Sequence, residues 1–407
     1  MRLHRDPLGT LQRAQAAFGD VFTLRLATAR PLVVVCAAGE VEPLVHADPG
    51  AAHAGEGRRL VLPLASPRSV FGGDGAQHRA GRERIAAAFA PDAVAARRDA
   101  FAAVAERHVA AWPRRRPFRL LPHMRAVIDE AFVAVVLGVG EERRARLIAA
   151  AIRRMLWTPG NPPLTIPGEG DGLLGAVGTA VFRRRCAPLA RLLAEEVDRR
   201  RADGPDGDDV MCLALRAAAP PSTDELVDEL IPLLMAAQEP PAVGLTWLLD
   251  RLGRDPALAE RYAAAPVGDP LRDAVMRETL RLRPPAVAAL RKLLEPRTVA
   301  GRRIPAGVTV MLPIPLLHRD AQAFPAPDAF RPERWIEGAP PETTFLPFGG
   351  GARRCLGEHL ARAYQDAVVP VVLRGIRLRP LGAEPERMVL RATTLVPQRS
   401  GLVRAER

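Results

Sequence analysis

The residues with the clearest chemical potential lie in a short glycine-rich segment near the C-terminus. Residues 347–358 read PFGGGARRCLGE and contain one cysteine, Cys355. The glycines allow tight turns and let the backbone approach a flat ligand closely. Cys355 stands where the loop leads into a predicted helix, and the N–H groups at a helix N-terminus favour a thiolate. A thiolate held in this way can be the axial ligand of a haem iron.

Other chemistries fit this segment less well. It lacks the GxxxxGK[ST] pattern of a phosphate-binding loop. Cys36, Cys186 and Cys212 make no CxxC pair with one another or with Cys355, which argues against a zinc or iron–sulfur site. A glycine-rich turn beside a buried structural cysteine is the alternative interpretation, and the order of Phe, Gly, Arg, Cys and Gly argues against it.

Two charged motifs precede this segment. Glu278 and Arg281 are three residues apart on a predicted helix, so they share a face and can pair. Residues 330–335 read FRPERW and supply Arg334. The first motif alone is also typical of a solvated helix face, so its meaning depends on the other two motifs.

Taken together, the three motifs resemble those of the cytochrome P450 family of haem-thiolate monooxygenases, in the same order and at similar spacing. The cysteine-loop pattern of the family is matched by Phe348, Gly349, Gly351, Arg353, Cys355 and Gly357. The resemblance covers almost the whole chain. It implies a single domain, residues 1–407, with the triangular, mainly α P450 fold and small β-sheets. It also implies haem b as the cofactor, with its iron bound by Cys355.

The resemblance further assigns roles to charged residues. It implies that Arg334 joins the Glu278–Arg281 pair and that these three residues are structural, because they lock the loop beneath the haem. The residues implied to bind the haem propionates are His78, Arg82, Arg291 and Arg353. Arginine suits that role because it can bind a carboxylate through two parallel hydrogen bonds.

The chain departs from the family pattern in the central helix that helps to activate oxygen. There the family has a small residue, glycine, any residue, an acid and two threonines, whereas residues 236–241 read AAQEPP. Glu239 retains the acid and Pro240 replaces the first threonine; with Ala236 and Ala237 they are the predicted catalytic positions. The prolines remove the N–H groups that would bind the carbonyls of Ala236 and Ala237, so we expect a kink there.

Three interpretations of this departure stay open. In the first, ordered water or a substrate hydroxyl replaces the threonine in proton delivery. In the second, the enzyme uses peroxide or does not hydroxylate. In the third, a monooxygenase tolerates the change with poorer coupling of reductant to product. A haem protein without turnover, such as a sensor or binder, is the competing functional class.

The composition describes a globular, strongly basic protein. The 407 residues are 48% hydrophobic and 26% charged, and the formal net charge is +12. All basic residues except Lys292 are arginine, and they are spread along the chain without interleaved aromatic residues, which argues against nucleic-acid binding. The sequence shows neither an apolar segment that could span a membrane nor a signal peptide. We therefore expect a cytoplasmic protein that does not enter a membrane.

The elements that must position the motifs are mainly helical in the sequence pattern. Alternation predicts a hairpin over 20–36, and helical periodicity predicts helices over about 76–283. Ser222 and Glu225 form a capping-box pattern for a helix to about Leu252, which we expect Pro240-Pro241 to interrupt. The remaining predictions are a break near Gly138 and Gly140, a loop over 158–163, short strands over 286–312, a helix from Cys355 to about Arg374, and a hairpin over 388–403.

The resemblance also implies a substrate and partners. We expect oxidation of a small or medium lipophilic molecule on the haem face opposite Cys355. The predicted pocket walls are mostly apolar and comprise residues 60–71, Ala236, Ala237, 287–290 and 393–395. The chain ends soon after Cys355, so we expect electrons from a separate ferredoxin and ferredoxin reductase. The predicted docking face lies near Arg353, Arg354 and Arg362, and the protein is expected to be a monomer of bacterial type.

Overall fold

The computed structural model describes residues 2–25, 31–47, 49–59, 69–156, 173–338 and 343–406. They form a mainly helical fold with small β-sheets, as the sequence predicts. The α-helices are α1 (Arg2–Arg5), α2 (Pro7–Phe18), α3 (Val41–Val45), α4 (Ala54–Arg59), α5 (Gly75–Ala86), α6 (Pro91–Ala95), α7 (Arg98–Ala110), α8 (Leu120–Ala131), α9 (Glu142–Leu156), α10 (Leu173–Asp203), α11 (Val210–Leu215), α12 (Thr223–Arg254), α13 (Pro256–Ala264), α14 (Pro270–Leu282), α15 (Ile314–Leu317), α16 (Arg334–Glu337) and α17 (Glu358–Gly375). The strands are β1 (Val21–Leu24), β2 (Leu32–Val35), β3 (Ala52–His53), β4 (Pro117–Arg119), β5 (Ala288–Leu293), β6 (Arg297–Val299), β7 (Arg302–Ile304), β8 (Thr309–Pro313), β9 (Arg377–Pro380), β10 (Met388–Arg391), β11 (Thr394–Pro397) and β12 (Leu402–Glu406). Within this described part of the chain, no helix has the length and apolar character that crossing a membrane requires.

Helix α12 is the long central helix. It begins at the predicted capping box, in which the Ser222 hydroxyl accepts the Glu225 N–H at 3.3 Å and the Glu225 carboxylate accepts the Ser222 N–H at 2.9 Å. Most of its side chains from Leu226 onward are buried, because it packs against α8, α10, α14 and β11. A helix that is buried on most sides can be apolar on most sides, which agrees with its many Leu and Val residues.

Helix α12 does not end at its prolines. Pro232, Pro240 and Pro241 lie inside one continuous helix, so the predicted interruption is wrong. The neighbouring elements hold this turn even though two N–H groups are missing from it. The expected kink in the helix axis stays a prediction.

Helices α7, α8, α12 and α17 pack together in the main hydrophobic core. Helix α7 contacts α8 and α17, and α8 contacts α12. The rings of Phe101 on α7 and Tyr364 on α17 meet edge to face, with centroids 4.8 Å apart. This bundle supports one side of α12.

The predicted N-terminal hairpin forms part of a larger sheet. Strands β1 and β2 are antiparallel, with Val21 opposite Val35. The five-stranded sheet has the order β1-β2-β8-β5-β3, in which β2 and β8 are parallel. Helix α4 packs on β5, and a Cβ added at Gly57 would lie 3.3 Å from the backbone nitrogen of Lys292. The glycine thus lets α4 approach the strand closely.

Two predictions about the C-terminal region differ from the structure. Helix α17 begins at Glu358 rather than Cys355, because the Cys355 N–H bonds within the loop, to the Phe348 carbonyl. The predicted hairpin ends at Pro397, since β10 and β11 pair with each other whereas β12 pairs with β4 and β9. The loop predicted over 158–163 lies outside the described residues.

Candidate active site

The cysteine loop, residues 347–357, is shaped by its own backbone and by helix α3. The Cys355 N–H donates to the Phe348 carbonyl at 2.8 Å. Gly349 and Gly351 have φ values of +68° and +61°, a conformation that L side chains rarely adopt. A Cβ added at Gly351 would also lie 2.8 Å from the Val45 carbonyl oxygen on α3. The glycines are therefore required both for the turns and for close packing.

The thiol of Cys355 lies in a recess. The residue is exposed, yet burial by the surrounding protein raises the pKa of its thiol, which places the sulfur at the floor of a recess rather than on the outer surface. A hydrogen bond from the Gly357 N–H opposes this rise in pKa, as do the positive charges of Arg58 and Arg82. The sulfur therefore has the access and the electropositive neighbours that a thiolate ligand needs.

The four residues predicted to bind propionates come together from three elements. His78 and Arg82 lie one turn apart on α5, Arg291 lies on β5 and Arg353 lies in the cysteine loop. His78 and Arg291 are buried. Arg82 donates to the Arg354 carbonyl at 2.8 Å, which ties α5 to the loop. The three elements are far apart in the sequence, so only the fold brings these side chains together.

The charges in this cluster repel one another. Burial, together with the charges of Arg353 and Arg82, lowers the pKa of His78 to about 4, so this imidazole is neutral near pH 7. Burial is also the main cause that lowers the pKa values of Arg291 and Arg353 to about 10. Asp74 forms an ion pair with Arg353 and balances one positive charge. The cluster thus keeps an excess of positive charge.

Arg58 on α4 belongs to the same cluster, and the sequence motifs do not point to it. Burial and the charge of Arg291, opposed by Cys355, together lower the pKa of Arg58 to about 10. Its guanidinium lies over the Phe71 ring, 4.7 Å from the centroid. In the sequence Arg58 stands in GEGRR, where nothing distinguishes it from a surface arginine.

These residues fit a haem. The cofactor presents two features for the protein to bind: an iron, which accepts a thiolate, and two propionate carboxylates. The recess offers an accessible thiol at Cys355, and beside it buried or half-buried guanidinium groups that one aspartate only partly balances. Two carboxylates would supply the missing negative charge and accept the charged hydrogen bonds of these groups.

Glu278 is the acceptor at the centre of a buried network. Nε and Nη2 of Arg281 each donate to its carboxylate at 2.9 Å, and both residues are fully buried. Nε of Arg334 donates at 3.2 Å, the Trp335 indole at 3.0 Å and the Arg331 N–H at 2.8 Å. Burial alone would raise the pKa of Glu278, but Arg281 and the other donors lower it overall. The carboxylate is therefore ionised and fully engaged.

His318 links this network to the cysteine loop, and the sequence motifs do not point to it. Nη1 of Arg281 donates to the His318 carbonyl at 2.9 Å. Nε2 of His318 accepts the Leu346 N–H at 2.9 Å, which leaves the ring proton on Nδ1, 3.3 Å from the Arg281 carbonyl. Leu346 stands directly before the loop. The Glu278–Arg281 pair thereby supports the loop through a short chain of hydrogen bonds.

The predicted catalytic positions on α12 fall into two groups. Leu233, Ala236, Ala237, Pro240 and Gly244 are half-buried and stand at spacings of three or four; Ile231, Met235 and Pro241 are also half-buried but do not follow this spacing. That spacing places the first five on one face. Glu239 is buried outside this face, and its carboxylate is bound by Arg125 of α8. A role for Glu239 in proton delivery stays a prediction.

The predicted pocket walls are described only in part. Residues 60–68 lie outside the described residues. The predicted wall segments 287–290 and 393–395 lie side by side, because Ala286, directly before the first, forms a β-bridge with Thr394 in the second. Val287 and Ala289 are half-buried, whereas Leu395 is fully buried and so lies behind the pocket surface.

The outer side of the cysteine loop forms a cleft of about 380 Å³ with α3, α14 and the start of α17. Arg354 and Arg362 line it, and each forms an ion pair with Glu358. The side chain of Arg353 is only 9% exposed and points to Asp74, so its inclusion in the docking face is wrong. Its position in a tightly turned loop directs it inward.

The comparison with known proteins agrees with this geometry. The model of the family described as Cytochrome P450 matches residues 2–403. The protein named cytochrome P450 135B1 in Mycobacterium bovis is 34% identical over 415 residues, which cover 98% of this chain and 87% of that protein. Cytochrome P450 135A1 of Mycobacterium tuberculosis is 30% identical over 397 residues, which cover 95% of this chain and 88% of that protein.

Solved structures show the same fold. The retinoic acid-bound cyanobacterial CYP120A1 superposes with a TM-score of 0.83 at 22% identity, over 99% of this chain and 96% of that chain. CYP175A1 from Thermus thermophilus superposes with a TM-score of 0.78 at 25% identity, over 100% of this chain and 96% of that chain. The similarity therefore extends over the whole architecture around the cysteine loop.

Proposed function

The chain belongs to the cytochrome P450 family, and from this premise we propose that it is a monooxygenase that oxidises a small or medium lipophilic molecule. The observation that carries the proposal is the accessible Cys355 thiol beside a cluster of buried or half-buried guanidinium groups. Haem held by a thiolate supplies dioxygen activation and favours O–O cleavage. The proposal places this chemistry in the cytoplasm.

The residues of the chain have separate tasks in this proposal. Cys355 binds the iron, while His78 and the guanidinium groups of Arg58, Arg82, Arg291 and Arg353 hold the propionates. The network around Glu278 keeps the loop in place. Ala236, Ala237 and Pro240 present a small, apolar surface that orients a lipophilic substrate and excludes water.

The proposed reaction is tested with labelled oxygen. Purified protein is supplied with a ferredoxin, a ferredoxin reductase and NADPH under ¹⁸O₂, with a panel of fatty acids, terpenes and aromatic compounds. A product that carries one ¹⁸O atom is the expected result. Product formed only with hydrogen peroxide would favour the peroxide-using alternative, and binding without any product would favour a haem-binding protein.

We propose that the ferredoxin docks on the cleft outside the cysteine loop. The cleft is open, is lined by residues 347–351 of the cysteine loop and carries the partly exposed side chains of Arg354 and Arg362. Their charges are shared with Glu358, so the face is mixed rather than uniformly basic. Ion pairs on such a rim affect the association rate more than the affinity.

Arg58→Met is expected to speed the loss of haem. The substitution removes one charged donor from the propionate cluster, which is worth about a factor of ten in haem dissociation rate. The measurement is transfer of haem to apomyoglobin. Arg303→Met, on the exposed strand β7, is the control and should leave the rate unchanged. Equal rates for both variants would remove Arg58 from the propionate site.

The double variant Pro240→Thr with Pro241→Thr is expected to lower the yield of product per reductant by about a hundredfold, the lower end for a lost proton-transfer group. The new N–H groups would occupy the carbonyls of Ala236 and Ala237, which we propose hold a water that takes part in proton delivery. The measurement compares product formed with NADPH consumed. Pro232→Ala, in the same helix but buried away from the half-buried face, is the control. Equal or better coupling in the double variant would show that the prolines are merely tolerated.

A further inference from the structure

Arg125 and Glu239 form a buried ion pair between α8 and α12. Nε of Arg125 donates to Oε2 of Glu239 at 2.7 Å, and Nη2 donates to Oε1 at 2.6 Å. Arg125 is 8% exposed and Glu239 is 9% exposed. Two parallel hydrogen bonds fix both the position and the rotation of a carboxylate, which a single contact does not.

The pair lies at the weakest turn of α12. Glu239 is followed directly by Pro240 and Pro241, which cannot donate to the carbonyls one turn earlier. A helix interior with two such losses needs support from outside, and α12 is nevertheless continuous there. Arg125 supplies that support because it anchors the residue next to the prolines to the neighbouring helix α8.

Glu239 is poorly placed to carry a proton to the half-buried face of α12, which the proposed function assigns to the substrate. The half-buried face of α12 contains Ala236, Ala237 and Pro240, whereas Glu239 is buried outside it. Both of its carboxylate oxygens accept hydrogen bonds from Arg125, so the carboxylate is fixed toward α8. Turning it toward the half-buried face would require the pair to open.

Other charged groups around the pair have partners of their own. Asp129, one turn after Arg125 on α8, accepts a hydrogen bond from Arg153 of α9 at 3.3 Å. Burial raises the pKa of the Asp129 carboxyl to about 7, and Arg153 only partly opposes this. Arg391 of β10 lies within electrostatic range of both members of the pair. Arg125 remains the group that binds the Glu239 carboxylate directly.

Resting on the proposed function, we propose that Arg125 is a positioning residue for this enzyme and that Glu239 is its anchor rather than a proton carrier. The pair holds the proline-containing turn of α12. It thereby sets the position of Ala236, Ala237 and Pro240 on the half-buried face that the proposed function assigns to the substrate. Glu239, the acid that the family has at this position, thus serves here to fix the shape of the half-buried face of α12. The structure assigns this task to the pair because it joins α8 to the turn that lacks hydrogen bonds.

The test compares Arg125→Met with the double variant Arg125→Met/Glu239→Met in the haem-loaded enzyme. Imidazole, which binds haem iron on the side of the cavity, is the probe, and its Kd is read from the optical spectrum. Arg125→Met leaves a buried carboxylate unpaired, so the midpoint of thermal unfolding should fall by about 4–6 °C. Because the turn shifts, the imidazole Kd should change about fivefold. The double variant should recover most of both changes, since it buries no unpaired charge.

Arg200→Met is the matched control, because Arg200 is a buried arginine whose carboxylate partners, Glu196 and Asp209, do not lie on α12. It should lower the midpoint without changing the imidazole Kd. An Arg125→Met variant that behaves like this control would overturn the positioning role. A double variant with parental stability and imidazole affinity but at least tenfold lower turnover, with a larger solvent isotope effect, would show that Glu239 carries protons. Since imidazole binding and unfolding need no substrate, both tests remain valid if the proposed monooxygenase reaction fails.

Discussion

Replacing Cys355 by alanine is expected to abolish the thiolate-type absorption of the reduced CO complex. The sulfur is the accessible group at the floor of the recess, with the Gly357 N–H bonded to it and Arg58 and Arg82 nearby. Without it the loop offers no thiolate to iron, so haem is held by the propionate contacts alone. The measurement is the CO-difference spectrum of protein reconstituted with haem, together with the ratio of haem to protein.

Cys36→Ala is the control for this experiment. Cys36 is a buried thiol whose pKa burial raises to about 12, so it is not available as a thiolate near neutral pH. Its removal should leave the thiolate-type band unchanged. A normal band in Cys355→Ala would contradict the assignment of the ligand, and with it the proposed reaction.

Replacing Glu278 by alanine is expected to prevent stable folding or haem retention. The change removes the acceptor of Arg281, Arg334, Trp335 and the Arg331 N–H at once. Arg281 is fully buried, so its charge would be left without a counter-charge, at a cost of about 3–5 kcal/mol. That is a large part of the stability of an ordinary domain. The measurements are urea unfolding and haem content of the purified variant.

Two variants make this result interpretable. Glu278→Gln keeps a carbonyl acceptor and should lose less stability than Glu278→Ala. Glu225→Ala at the exposed capping box of α12 should lose only about 1 kcal/mol and keep its haem. A Glu278→Ala protein with normal stability and full haem content but no turnover would show that Glu278 is catalytic rather than structural.

The fold class was predictable because its signals are local. The Ser222–Glu225 capping box marks the start of α12 in the sequence and in the structure. The alternation around Val21 and Val35 predicts the first hairpin, which forms with those residues opposite each other. Such patterns depend on neighbours within a few residues, so the sequence displays them directly.

The failures arise where distant contacts decide the outcome. Pro240 and Pro241 favour a helix break locally, but packing against α8 and the Arg125–Glu239 pair hold α12 together. Arg58 and Arg125 resemble other arginines in the sequence, because burial and partners are properties of the fold. His318 lies outside the three motifs, and only the tertiary structure brings it to Leu346.

The His318 link has a consequence for acid tolerance. Burial lowers the pKa of His318 to about 3, so the folded protein keeps this imidazole neutral, with its Nε2 lone pair on the Leu346 N–H. In the unfolded chain a histidine takes up a proton near pH 6.5. Between these two values the unfolded chain binds one more proton than the native protein at this position, so acidification through that interval progressively favours unfolding. The hydrogen bond that supports the cysteine loop is therefore insensitive to pH around neutrality, yet it makes the whole protein less resistant to acid.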